Sequence, residues 1–230
     1  MTTLSIIVPT LNEADIIVAA LSALQSLRER GAELIVVDGA SEDRTADLAR
    51  PFCDRLLLAA RGRAAQMNAG AAAAEGQILL FLHADTRLPR DADQLVLDGL
   101  SRKRMWGRFD VRIAGRNPFL GVVAMLMSIR SRLTGIATGD QAIFVDRRAF
   151  AAVDGFPNIP LMEDIVLSRR LKRRWRPLCL ASPVVTSGRR WETHGVLRTI
   201  VLMWRLRLAF FLGANSTQLA RRYGYRAKSP

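Results

Sequence analysis

Along the first hundred residues, short apolar runs alternate with stretches whose apolar positions recur at helical spacing. Residues 4–9 form a buried-strand run, and residues 13–27 carry Ile16, Ile17, Ala20, Leu24 and Leu27 on a helical period. A second run at residues 33–38 begins about 30 residues after the first, the usual length of one strand–helix–strand unit. The pattern continues with a short helix over 43–50, a weaker strand over 55–59 and an alanine-rich helix over 64–74. A strongly apolar strand over 77–83 follows, then a helix entered at Leu88-Pro89 and ending near Leu100. This alternation predicts an α/β fold with a mostly parallel sheet flanked by helices.

Beyond residue 100 the alternation loosens. Residues 106–114 alternate like an antiparallel strand, 118–132 read as an unusually apolar helix and 142–146 as a short strand. A helix with a basic outer face is predicted over 162–174, a strand over 178–185, and a long apolar helix over 196–213 that is interrupted by Arg198, Arg205 and Arg207. The expectation is one domain over residues 1–215, ending in this apolar, basic helical segment, with a basic tail over 216–230 that frays from Arg221. The longest uncharged apolar stretch, residues 117–129, is well short of the ~20 residues of a spanning helix. No transmembrane helix is therefore predicted.

Charge divides the chain. Among 230 residues, 50% are hydrophobic and 24% charged, which excludes a disordered or collagen-like protein. Residues 1–100 hold 9 basic and 14 acidic groups, whereas residues 101–230 hold 25 and 7, so the second half carries +18. Of the 34 basic residues, 31 are arginine, whose planar fork suits phosphate and carboxylate groups. An anionic partner is expected. Cys53 and Cys179 are too few and too far apart for a disulfide framework or a zinc cluster. Residues 1–5 have no signal-peptide character, so the expected location is cytoplasmic, with peripheral contact at the inner face of the membrane left open by the basic half.

In an open parallel sheet, ligands bind where loops leave the carboxyl ends of the strands. Three such loops present Asn12, Glu13, Asp38, Asp43, His83 and Asp85. Asp43 and Thr86 suit turn or cap positions, while Asp38 and Asp85, at the mouths of apolar strands, suit a ligand.

Taken in order, the segments Ser5-Ile6-Ile7-Val8-Pro9-Thr10-Leu11-Asn12-Glu13, Val37-Asp38-Gly39-Ala40-Ser41 and Gly62-Arg63-Ala64-Ala65-Gln66-Met67-Asn68 resemble the family 2 glycosyltransferases. Leu82-His83-Ala84-Asp85, Gly139-Asp140-Gln141, Met162-Glu163-Asp164 and Arg190-Trp191 continue the match, with a compact bacterial single-domain subgroup as the nearest pattern. The resemblance implies the glycosyltransferase A fold, with a nucleotide-sugar half over 1–100 and an acceptor half over 101–215. It implies a nucleotide-diphosphate sugar donor, UDP-linked as the first expectation, bound by Pro9, Thr10, Asn12, Glu13, Asp38 and Arg63. Asp85 matches the last carboxylate of the family's Asp-x-Asp motif and implies Mg²⁺ or Mn²⁺, hard cations whose shells substrate phosphates complete. His83 stands where the first Asp is expected, within reach of ribose, and His194 lies where relatives place a late metal ligand.

Glu163-Asp164 resembles the pair whose Asp is the general base of an inverting transfer. Gly139, Asp140 and Gln141 are expected where the donor and acceptor sides join, and Arg190 and Trp191 on the acceptor side. Ser187 occupies the Gln position of the processive synthases' Gln-x-x-Arg-Trp motif, so a single transfer to a small or lipid-like acceptor is expected. The alternative is a non-catalytic basic module for nucleic acid or an anionic membrane surface. No nucleic-acid motif is present and only two tyrosines are available for base stacking, so nucleic acid is not an expected partner.

Overall fold

The computed structural model describes residues 3–100 and 103–224. Its eight-stranded sheet has the order β3-β2-β1-β4-β7-β6-β8-β5. β1 (Leu4–Thr10) pairs in parallel with β2 (Glu33–Asp38) and β4 (Ile78–Phe81), and β3 (Arg55–Leu58) extends β2, also in parallel. β7 (Phe144–Asp146) runs antiparallel to both β4 and β6 (Trp106–Ala114). β8 (Leu178–Ser187) lies parallel to β6, and the two-residue β5 (Thr86–Arg87) closes the edge. The strand expected to be antiparallel over 106–114 thus has one neighbour of each direction.

β1 and β2 are buried along their whole length and mostly apolar because both sheet faces are covered. Leu4, Ile6 and Val8 face the layer formed by α1 (Ala14–Ser22), α2 (Gln25–Glu29), α3 (Thr45–Ala49), α5 (Ala92–Gly99) and α6 (Phe119–Thr134). Ile7 faces α4 (Arg63–Ala73), α7 (Arg147–Ala151) and α8 (Glu163–Lys172). α4 crosses so close that a Cβ on Gly70 would lie 2.4 Å from Ile7 Cγ2, and only glycine fits there. The single helix expected over 13–27 is broken between α1 and α2. Gln25 fastens the break, its Nε2 donating to the Leu21 and Phe52 carbonyls at 2.9 Å each.

The C-terminal part departs further from expectation. α10 (Val196–Phe211) is followed by α11 (Ser216–Tyr223), which begins at an Asn215 cap and buries Leu219 and Ala220. The first half of the expected tail is therefore packed helix, and residues 225–230 lie outside the described residues. α10 and α11 form a third apolar cluster with Leu161, Met162 and Ile165 at the start of α8. α6 is fastened to β6 by the fully buried Arg108, which binds Asp110 and donates to the Ser128 carbonyl at 3.0 Å. Among the described residues no helix is long and apolar enough to cross a membrane. Both α6 and α10 nevertheless expose apolar stripes, Phe119, Val122, Leu126, Ile129 and Leu133 on one, Leu197, Val201, Trp204, Leu208 and Phe211 on the other.

Candidate active site

The loops after β1, β2 and β4 converge at one end of the sheet, and side chains stitch the first two together. Asn12, in the left-handed region at φ 54°, donates its N–H to Ser41 Oγ at 2.9 Å and accepts from the Glu42 N–H at 2.8 Å. Ser41 in turn donates twice to the buried Asp38 carboxylate, from its N–H at 2.8 Å and its hydroxyl at 2.5 Å. Asp43 accepts from the Ala14 and Thr45 N–H groups at 3.1 and 2.9 Å, so it serves as the turn former its sequence context suggested. The Thr45 and Ala14 bonds hold its carboxyl below the ordinary range. Thr86 is no cap. It lies in β5 and donates to Thr186 across the sheet edge at 3.0 Å.

Two cavities open here. The smaller, about 250 Å³, is lined by Pro9, Thr10, Glu13, Arg63, His83 and Asp85, and by Gln66, which sequence motifs did not single out by role. Gln66 fixes the floor by donating to the Thr10 and Val37 carbonyls at 2.7 and 2.9 Å. The larger, about 830 Å³, shares Arg63, His83 and Asp85 with the first and adds Gly139, Asp140, Glu163, Asp164, Arg190 and Trp191. Most predicted site residues are therefore gathered into one joined space. Asn12 and Asp38 line neither cavity; the Asn12 N–H and Oδ1 and the Asp38 carboxylate hydrogen-bond within the loops they shape. Gln141 is wholly buried, its Oε1 accepting from the Thr138 N–H at 3.2 Å in a capping box. His194 is exposed at the end of the short helix α9 (Arg189–His194) and lines neither cavity.

Electrostatics tie the shared wall together. Burial pushes the Glu13 carboxyl up, and the nearby Asp85 charge adds to the shift. Burial alone would lower the His83 imidazole; Asp140, 3.7 Å from its Nδ1, outweighs that and holds it above the ordinary histidine value. Asp140 is held low because the same His83 contact overcomes burial. Burial raises the Glu163 carboxyl more than the opposing Arg63, 3.7 Å away, lowers it. A Cβ on Gly139 would come within 2.4 Å of the His83 ring, so this turn can pass the imidazole only as glycine.

Asp164 is aimed by two backbone N–H groups. Its Oδ2 accepts from the Gly139 N–H at 2.9 Å and its Oδ1 from the Ile165 N–H at 2.7 Å. The residue that launches α8, Met162, sits at φ 72°, a strained conformation for a side chain of that size. Its side chain is buried with Leu206 and Leu219, so α10 and α11 hold the turn that presents Glu163 and Asp164. Tyr223 of α11 also lines the larger cavity, stacked 3.6 Å beneath the Arg190 guanidinium. A residue in a presumed tail gave no sequence signal for this.

The sequence model described as Glycosyl transferase family 2 matches residues 5–153. A PGL/p-HBAD biosynthesis glycosyltransferase of Mycobacterium bovis is 40% identical over 98 residues, which cover 40% of this chain and 38% of that protein. The chain thus matches well under half the length of that relative. Among solved structures, the mannosyltransferase PcManGT from Pyrobaculum calidifontis, in complex with GDP-Man and Mn²⁺, superposes with a TM-score of 0.62 at 21% identity, covering 99% of this chain and 65% of that one. Glucosyl-3-phosphoglycerate synthase from Mycobacterium tuberculosis, in complex with Mn²⁺, UDP and phosphoglyceric acid, gives 0.64 at 17%, covering 93% and 79%. At these identities the likeness establishes a common fold.

Proposed function

The chain belongs to glycosyl transferase family 2, and from that premise we propose that it moves a sugar, with inversion, from a nucleoside-diphosphate donor to an acceptor hydroxyl. The observation that carries this reading is the pair of cavities meeting at Arg63, His83 and Asp85, with Asp164 in the larger one. The nucleoside lies along Pro9, Thr10 and Glu13 in the smaller cavity, on loops whose shape Asp38 and Asn12 maintain. The sugar crosses the shared wall, and the acceptor enters the larger cavity, which residues 101–215 supply most of. Residues 1–215 with α11 then act as one catalytic unit.

Asp85 is the one carboxylate common to both cavity linings, and no three His, Cys, Asp or Glu side chains cluster as a metal site among the described residues. A hard divalent cation here would therefore take most of its oxygens from the diphosphate. Asp85 faces both cavities and carries one neighbouring hydroxyl, Thr86 Oγ1 at 3.3 Å, on Oδ1. Asp85 would hold Mg²⁺ or Mn²⁺ with diphosphate oxygens completing the shell, and the cation would neutralise charge on the departing diphosphate. His194, exposed at the end of α9 and outside both cavity linings, is not assigned to it. The chain's own groups do the rest. Arg63 adds positive charge beside the diphosphate, and His83, fixed by Asp140, donates to donor oxygens. Asp164 takes the acceptor proton as the acceptor oxygen bonds to the anomeric carbon and the carbon–phosphate oxygen bond breaks. Gly139 and Ile165 aim Asp164, and Arg63 positions Glu163 beside it.

Thermal unfolding with UDP, GDP, CDP or dTDP tests the donor site. One nucleotide is expected to raise Tm only with Mn²⁺ or Mg²⁺. At a hundredfold excess over Kd, the stabilisation is about 2.7 kcal/mol, a rise of roughly 5–10 °C for a chain of this size. No shift with any nucleotide contradicts the proposal. The exposed stripes of α6 and α10, flanked by arginines and free of acidic residues, also support peripheral contact with an anionic bilayer. Flotation with phosphatidylglycerol vesicles should retain the protein at low salt and release it as ionic strength rises. Equal recovery without vesicles would remove this contact from the account.

A further inference from the structure

Two guanidiniums in the larger cavity form no ion pair among the described residues. Arg130, from α6, has its Nε and Nη2 atoms shut away from solvent with no hydrogen-bond partner. Arg207, from α10, forms no ion pair among the described residues. Burial pushes Arg130 down to about 10, with the like charge of Arg207 adding to the effect, and burial lowers Arg207 as well. Two desolvated cations facing each other are costly unless an anion lies between them. Asp164 and Asp140 act on both guanidiniums through space but form no ion pair with either among the described residues, their oxygens being engaged by the Gly139 and Ile165 N–H groups and by His83.

The donor's diphosphate does not explain the pair either. Neither arginine lines the smaller cavity, and the carboxylates that act on both are Asp140 and Asp164, in the larger one. Around them the wall is apolar, with Leu126, Ile129 and Leu133 from α6 and Met203 and Trp204 from α10. An anion at this depth therefore sits at the polar end of a greasy slot, beside Asp164. A guanidinium pair grips phosphate or carboxylate oxygens through paired N–H donors.

We propose that Arg130 and Arg207 form an anion subsite for the acceptor, which is an amphiphile carrying a phosphate or carboxylate group close to the hydroxyl that receives the sugar. The anionic group lies between the two guanidiniums, the apolar portion runs along α6 and α10, and the hydroxyl points to Asp164. This deepens the transferase reading and rests on it.

The test titrates the full chain, loaded with the stabilising nucleotide and Mn²⁺, with octyl phosphate, octanoate, inorganic phosphate and octyl glucoside below their micelle concentrations. Tryptophan fluorescence reads binding, since Trp191 and Trp204 line the cavity. Octyl phosphate or octanoate is expected to bind at least about tenfold more tightly than octyl glucoside, the factor of one charge-assisted hydrogen bond. Arg130→Gln and Arg207→Gln should each weaken that binding by about tenfold while leaving the nucleotide's Tm shift in place. Inorganic phosphate binding as tightly as octyl phosphate would assign the subsite to a soluble phosphate and overturn the amphiphile. Octyl glucoside binding as well as octyl phosphate overturns the subsite itself, on the wild-type protein alone. So does displacement of the nucleotide by octyl phosphate, which would give both arginines to the donor. Loss of nucleotide binding in the wild-type protein is a different failure, that of the transferase reading.

Discussion

Asp164→Asn is expected to lower nucleotide-sugar turnover by roughly 10²-fold or more, the scale of a lost positioned base. Nucleotide affinity should stay within about twofold, because the substitution removes an interaction realised only during transfer. The structure makes this a clean change. Asparagine keeps the size of the side chain, and its Oδ1 can still accept one of the two backbone N–H bonds, from Gly139 or Ile165, that now aim the carboxylate. What is lost is the capacity to take a proton. Turnover of each candidate sugar nucleotide, paired with the nucleotide's Tm shift, separates the two effects. Survival of turnover would move the base to Glu163, which is buried against Arg63 and less able to meet an acceptor.

Asp85→Asn is the second large effect. It should cut metal-dependent nucleotide affinity by at least about tenfold and leave the metal-free melting temperature nearly unchanged. Asp85 is half-buried, and among the described residues its side chain accepts one hydrogen bond, from the neighbouring Thr86 hydroxyl, so little of the fold depends on it. Its negative charge also acts on Glu13 across the small cavity, and neutralising it should relax that repulsion. Repeating the nucleotide melts with chelator, Mg²⁺ and Mn²⁺ measures the loss. If the variant keeps the full metal-dependent shift, the cation is held elsewhere.

The parallel half of the fold was legible because buried parallel strands leave continuous apolar runs. Residues 4–9, 33–38 and 77–83 mark β1, β2 and β4 within a few residues. The short elements β5, α7 and α9 were not, since two to six residues carry too little periodicity to register. The break between α1 and α2 depends on Gln25 reaching the Phe52 carbonyl, a contact 27 residues away that no local window contains. α11 was hidden by its charge. Arg221 and Arg222 read as a solvated tail, while Leu219 and Ala220 on its other face supply the packing.

The site was legible in the same uneven way. Residues carried by loops after apolar strands, such as Glu13, His83 and Asp85, converge as the topology requires. Asp38 sits in an equally suggestive place, yet Ser41 and Thr10 occupy its carboxylate, and only coordinates reveal such internal partners. Arg207 was read only as an interruption of the apolar helix over 196–213, and Arg130 was not singled out. Their role depends on α6 and α10 bordering one cavity, a relation between segments 77 residues apart that neither segment encodes alone.

The central claim is that donor and acceptor occupy separate cavities joined at Asp85. Anomalous diffraction at the manganese edge, from crystals grown with Mn²⁺ and the stabilising nucleoside diphosphate, tests it most directly. The account predicts one manganese bound by the Asp85 carboxylate and the diphosphate, the nucleoside against Pro9, Thr10 and Glu13, and the cavity beside Asp164 left for the acceptor. A nucleoside seated between α6 and α10, or manganese held at His194, would contradict it.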